Sequence, residues 1–245
     1  MTAPRVEPRL LEPLTAAARA DVLAAAVDKR FRRGETLVRE GEPGESLHLV
    51  RAGRLAVRVS TSDGATATLT VMSAGDSFGE LALLGDHVRT ATVVALEPSE
   101  TLVLTRSAFD ALRRSHPAVE RVLTQALARR VQELSAALLE ALYEPVDRRV
   151  MARLVDLSHT YAAPAGPTRS ASATSVGAPA GPAPGAPSRV VVPITQDDLA
   201  GMAGTTRPTT NQVLQRLADD GVLTLGRGRI ELRDVAALRR RLDLG

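Results

Sequence analysis

The spacing of apolar residues changes along the chain, and each change marks a different kind of element. From about Arg32 to Thr105 the apolar positions come in short runs, LHLV at 47–50, LAVRV at 55–59 and ATLTVM at 67–72, mixing continuous stretches with alternation. Gly34, Gly41, Gly44, Gly53, Gly64 and Gly75 break them up at roughly the spacing of antiparallel strands in a sandwich or barrel. A helix is predicted ahead of them, around Thr15–Val27. From Pro117 the period lengthens: the segment PAVERVLTQALARRVQELSAALLEALYEP has no internal Gly or Pro, and Leu127, Val131, Leu134, Leu138 and Ala141 recur at alternating +4 and +3. This predicts a helix of about 27 residues, roughly 40 Å long, stopped by Pro145. So long a helix would overhang a domain of this size, which favours pairing with a second copy; packing on its own barrel is the alternative.

A further helix is expected over Asp147–Tyr161. The stretch from Ala162 to Arg189 is dominated by Pro, Gly, Ala and Ser, cannot bury a core and reads as a disordered insertion. A peptide held by some partner is its other reading. Beyond it, the segment ITQDDLAGMAGTTRPTTNQVLQRLADDGVLTLGRGRIEL predicts helix, turn at Gly204, helix, and a hairpin around Gly226–Gly228. Thr195 with Asp198 can cap the first helix, and Thr206, with Pro208 just inside, the second. Two helices joined through a glycine turn and followed by a hairpin make a winged helix-turn-helix layout.

Composition narrows the chemistry. The 245 residues are 44% hydrophobic, enough for real cores, and contain no cysteine, which removes disulfides, thiolate metal sites and iron–sulfur clusters. His48, His87, His116 and His159 are scattered without metal-ligand spacing, no nucleophile-and-base arrangement is visible, and neither an enzyme nor a haem or metal protein is expected. No window has the apolar length of a membrane span, so a cytoplasmic location without membrane contact is the default. Net charge is +3 and Lys29 is the sole lysine. From Gly204 onward eight arginines face five acids, so the C-terminal end is basic. Aromatics, at 2%, are too few for a single-strand stacking platform.

One apolar stretch, FGELALLGDHVRTATVV at 78–94, carries two opposite charges nine positions apart, Glu80 and Arg89, with glycines beside them. Isolated ionised groups are costly to desolvate and are retained where they meet something polar, although a merely structural pair is the plainer alternative. A guanidinium binds phosphate through parallel N–H donors, backbone amides at a helix start after Gly79 add donors, and a carboxylate accepts from a hydroxyl. Together these groups suit a ribose bearing a phosphate, with the Thr90 hydroxyl alongside.

The FGELAL and RTATV segments, with the glycine-rich REGEPGESLHLVRAGRLAV upstream, resemble the phosphate-binding cassette of cyclic-nucleotide-binding domains, and the whole chain resembles the Crp-Fnr family of transcription regulators. The resemblance implies an α+β fold: an N-terminal antiparallel β-barrel or jelly roll that binds a cyclic nucleotide (10–116), a long dimerisation helix (117–144), and a C-terminal winged helix-turn-helix (145–245) holding the insertion. It implies that Glu80 holds the ribose 2′-hydroxyl, Arg89 the cyclic phosphate, Gly79 and Leu81 backbone contacts, and that Thr90 faces phosphate and base. Arg130 and Ser135, in a stretch like the family's ARR segment, are candidates to meet the purine. Leu134 departs from the Thr that precedes this serine in cAMP-responsive members. The effector implied is cAMP or another cyclic nucleotide, and the partners are double-stranded DNA, a second copy of the chain, and RNA polymerase.

At the C-terminal end, Arg207, Thr209, Asn211 and Gln212 occupy the early part of the expected recognition helix. Arginine can take both major-groove acceptors of guanine, and Asn or Gln can pair with adenine. The family's S-R-x-T-V pattern is matched at Arg207 and Thr209, while Pro208 and Gln212 depart from the catabolite activators, so a different operator is expected. Thr195, Gln196, Thr206, Arg227 and Arg229 are candidates for the remaining DNA contacts. Two rivals stand: a ligand-independent regulator with a vestigial cassette, and a cyclic-nucleotide-binding module controlling another protein.

Overall fold

The computed structural model describes residues 6–61, 64–84, 88–162 and 189–243, which separate into two compact units, 1–143 and 144–245. Residues 163–188 of the expected insertion, and Gly85 and His87 in the cassette stretch, lie outside the described residues.

The first unit opens with a 3-10 turn at Arg9–Leu11 and α1, Ala16–Ala25, whose N-cap Thr15 accepts from the Ala18 amide. The strands follow: β1 Val27–Phe31, β2 Thr36–Val38, β3 Ser46–Ala52, β4 Arg54–Ser60, β5 Thr66–Ser73 and β6 Ser77–Phe78. After α2 (Glu80–Leu84) come β7 Thr92–Ala95 and β8 Ser99–Thr105, then α3 Arg106–Ser115 and α4 Pro117–Tyr143. The strands form two antiparallel four-stranded sheets, β1-β8-β3-β6 and β2-β7-β4-β5, the antiparallel β-domain expected from the strand spacing and the jelly roll implied by the resemblance. The predicted first helix ends two residues early and gives way to β1, because Val27 enters the ladder opposite Val103.

Alternation along β3 divides the interior. Leu47 and Leu49 join Leu102 and Leu104 in a core shared with Val22 of α1, Phe109 and Leu112 of α3, and Val119, Val122 and Leu123 of α4. The opposite face sends Val50 between the sheets, against Leu55, Met72, Phe78, Val93 and Ala95. Full burial of such side chains contributes about 1.5–3 kcal/mol each, before entropy is set against it.

The predicted long helix is present as the 27-residue α4. Its first turns are buried, but Val131, Leu134, Leu138, Leu139 and Leu142 are 56–66% exposed, so its own barrel does not cover the apolar seam.

The second unit begins with α5, Val146–Ala162, and continues with β9 Val190–Val192, α6 Gln196–Met202, α7 Arg207–Asp219, β10 Leu223–Gly226, β11 Arg229–Leu232 and α8 Val235–Asp243. Thr195 and Asp198 form a full capping box on α6, and Thr206 caps α7 with Pro208 in its first turn. Gly204 makes the turn between them at φ +60°. The expected hairpin is one side of a three-stranded sheet, β10-β11-β9. Val150, Leu154, Leu157, Leu199, Leu214, Leu217, Ile230, Leu232 and Leu238 are buried, so α7 presents its Val213, Leu214 and Leu217 side inward and Asn211 and Gln212 outward. No helix among the described residues is long and apolar enough to cross a membrane.

Candidate functional site

Arg89 follows an isolated bridge between Val88 and Pro43 and is pinned at its backbone: its amide donates to Glu42 and its carbonyl accepts from Gly41, both at 2.9 Å. Its side chain is therefore aimed before any partner is considered. It is 6% exposed. Nη2 donates to Ser46 Oγ at 2.8 Å, whereas Nη1 is buried and has no hydrogen-bond partner among the described residues. Burial pulls the guanidinium below the ordinary arginine range and the Glu80 carboxylate opposes that shift.

Gly79 links β6 to α2 at φ +94°, a conformation open to glycine. A Cβ there would lie 2.5 Å from the Ser46 carbonyl oxygen and closer still to Arg89 Nη1. The unpartnered nitrogen and the glycine lie side by side, too close for any side chain at position 79. A half-buried Glu80 starts α2, exposed Leu81 follows, and exposed Thr90 adjoins Arg89. The structure thus brings Gly79, Glu80 and Arg89 together, with Leu81 and Thr90 adjoining them in the chain. Arg130 and Ser135 stand elsewhere: both are exposed on α4, Arg130 pairs with Glu133 at 3.5 Å, and among the described residues neither bonds to the cassette.

Two residues of this site were not singled out in the sequence, Ser46 and His48. His48 is buried, lies opposite Phe78 in the β3–β6 ladder and stacks on it at 4.6 Å between ring centroids. Burial, then the charges of Arg89 and Lys29, lower its pKa to about 3. The signal available was spacing: 46, 48 and 50 share one face of β3, the face that looks between the sheets.

In the second unit, a cavity of about 290 Å³ is lined by Thr195, Gln196, Asp197, Arg207, Arg227 and Arg229 among others, gathering five of the predicted DNA contacts around one hollow. Arg207 is exposed and pairs with Asp197 at 3.3 Å, a carboxylate the sequence had not flagged. Thr206 and Thr209 are engaged with each other through their hydroxyls at 3.0 Å, and Asn211 and Gln212 lie exposed on α7 outside that hollow. Beside it, hydrogen bonding to Arg189 holds the Glu231 carboxyl below its usual range.

A barrel with a buried guanidinium facing a glycine turn, and a separate helix-turn-helix unit with a basic wing, define a cyclic-nucleotide-binding domain and a DNA-binding domain in one transcription regulator. The family described as Cyclic nucleotide-binding domain matches residues 28–116, and that described as Crp-like helix-turn-helix domain matches 148–241. The chain is 31% identical over 208 residues to the cyclic AMP receptor protein of Thermus thermophilus, covering 85% of this chain and 84% of that one. It is 26% identical over 211 residues to the CRP-like cAMP-activated global transcriptional regulator of Mycobacterium tuberculosis, covering 86% of each. Its fold is similar to a CRP-family transcriptional regulator of Thermus thermophilus, with TM-score 0.66, 26% identity, and coverage of 88% and 96%. The chain belongs to the Crp-Fnr family of transcription regulators, which are not enzymes.

Proposed function

We propose that this regulator is a homodimer whose binding to DNA is controlled by a cyclic nucleotide, cAMP, held at Gly79, Glu80, Leu81, Arg89 and Thr90. The observation that carries the effector site is the buried, partnerless Nη1 of Arg89 beside Gly79, since an unsatisfied donor in a dry position is costly unless something occupies it. A phosphate oxygen is the natural acceptor for it, Glu80 the natural acceptor for a ribose hydroxyl. The names of the Thermus and Mycobacterium relatives support cAMP as the nucleotide.

The uncovered seam of α4 supports dimerisation, because an apolar stripe of this length in water favours a partner helix. In such a dimer Arg130 and Ser135 would meet the base of the nucleotide. Residues 10–116 would then sense, 117–144 pair, and 145–245 read DNA. Arg207, Thr209, Asn211 and Gln212 would face base edges, and Thr195, Gln196, Thr206, Arg227 and Arg229 phosphates, in two half-sites about 34 Å apart. RNA polymerase in the cytoplasm is the assembly such a dimer would address.

The test is calorimetry of the full chain against cAMP and cGMP. Wild type binds cAMP, and Arg89→Ala reduces affinity at least about thirtyfold, as expected for deleting one member of a desolvated charge contact. Unchanged affinity in Arg89→Ala would refute the site. Absence of binding by wild type, with sequence-selective DNA binding retained, would establish the ligand-independent alternative, which the apolar Leu134 beside Ser135 favours.

A further inference from the structure

Behind Arg89 the hydrogen bonds can run in one direction that gives the Ser46 proton an acceptor. A guanidinium donates and never accepts, so the 2.8 Å contact from Nη2 uses a lone pair of Ser46 Oγ. The serine proton is then free to go elsewhere, and His48 Nε2 lies 3.2 Å away. For Nε2 to accept it, the ring proton must sit on Nδ1, which faces Thr101 Oγ1 at 3.4 Å. Thr101 is fully buried on β8. The chain therefore runs from Arg89 through Ser46 and His48 to Thr101, across a sheet whose register places β3 beside β8.

This order needs an uncharged imidazole, and the surroundings supply one. Burial acts first, then Arg89 and Lys29, and the pKa falls to about 3. The ring face is meanwhile locked against Phe78, the residue immediately before Gly79. One side chain thus braces both the guanidinium, through Ser46, and the glycine turn, through Phe78.

We propose that Ser46 and His48 are positioning residues for the phosphate of the bound nucleotide, the serine hydroxyl, oriented by the imidazole, fixing the rotation of the Arg89 guanidinium so that Nη1 is left to face the ligand. The proposal rests on the assignment of Arg89 to that phosphate. Neither residue touches the nucleotide. Both act through the orientation of one guanidinium, so affinity is set partly by atoms on a strand 43 positions earlier in the chain than Arg89.

The experiment uses the full chain, cAMP as the calorimetric probe, and nitrogen NMR of the histidine ring and the Arg89 Nη groups. Ser46→Ala is expected to weaken cAMP about tenfold, in line with one hydrogen bond to a charged group. Ser46→Thr keeps the hydroxyl and is expected to stay within about threefold of wild type, and His48→Phe, which keeps the ring stack without the acceptor, to fall between the two. The free protein should show His48 as the Nδ1–H tautomer and slow Nη rotation at Arg89, quickened in Ser46→Ala. Equal weakening in Ser46→Ala and Ser46→Thr would reduce the serine to a packing role and overturn the proposal. So would unchanged affinity and rotation in Ser46→Ala while Arg89→Ala abolishes binding, an outcome that leaves the site itself standing. If wild type bound no cAMP, the effector assignment would fall alone, and Nη rotation would decide the relay: slow in wild type and quick in Ser46→Ala supports it, the same in both overturns it.

Discussion

The cassette and the DNA-reading end both rely on arginine, and they use it in opposite ways. Arg89 is buried, tied down at its backbone and at Nη2, and packed against a glycine where a Cβ would collide with it. Arg207, Arg227 and Arg229 are exposed, and Arg207 is held by the surface carboxylate of Asp197. A surface ion pair contributes roughly 0–1 kcal/mol and is screened by salt, so Arg207 can leave Asp197 for another acceptor at little cost. Arg89 has no such freedom. Burial turns the same functional group from an adaptable contact into a fixed receptor, and that difference suits a region that takes one ligand as against a region that must scan many sequences.

The contrast can be broken most severely at Gly79. Gly79→Ala combines a left-handed backbone with a collision against the Ser46 carbonyl and Arg89, and should destabilise the first unit by about 3 kcal/mol and abolish cAMP binding. Hydrogen exchange of the β3 and β8 amides reads the first effect; unchanged protection would mean the turn relaxes around a methyl group.

Acid tests the same interior. Because the folded pKa of His48 lies near 3 and the unfolded value near 6.5, the unfolded chain binds the proton first as pH falls. The stability of the first unit is therefore full above pH 6.5 and is lost towards pH 3, about 2 kcal/mol of it by pH 5. His48→Gln should flatten that limb in urea titrations, and identical limbs would assign the loss to carboxylates.

At the other end, Arg207→Ala should weaken operator binding by about 1–3 kcal/mol and relax base choice at one position per half-site. A uniform loss across sequences would make Arg207 a phosphate contact and remove the contrast in roles. The smallest effect belongs to Thr206→Ala, which removes the cap of α7 and should cost the second unit about 1 kcal/mol of stability, read by thermal unfolding.

How far these features could be seen in the sequence depended on whether their cause was local. The long helix, both threonine caps and the glycine turn between α6 and α7 were all legible, because periodicity, capping chemistry and a positive φ are written within a few residues. β1 was not: VDKRF is an edge strand with four exposed positions, and its pairing with β8 comes from residues 68 to 76 positions further along the chain. β9, three valines at 190–192, joined the wing only through tertiary pairing. Glu80 and Arg89 stood out as charges in an apolar stretch, whereas Ser46 and His48 read as ordinary strand residues until the fold carried Arg89 to them.

Lys29 has a practical consequence. It is the sole lysine of the sequence and sits exposed on β1, so its side-chain amine gives acylating dyes and cross-linkers one address on the barrel and none on α4 or the wing. A fluorophore placed there would sit within electrostatic range of His48, and acylation would delete the charge with the smaller effect of the two that add to burial in holding the imidazole neutral.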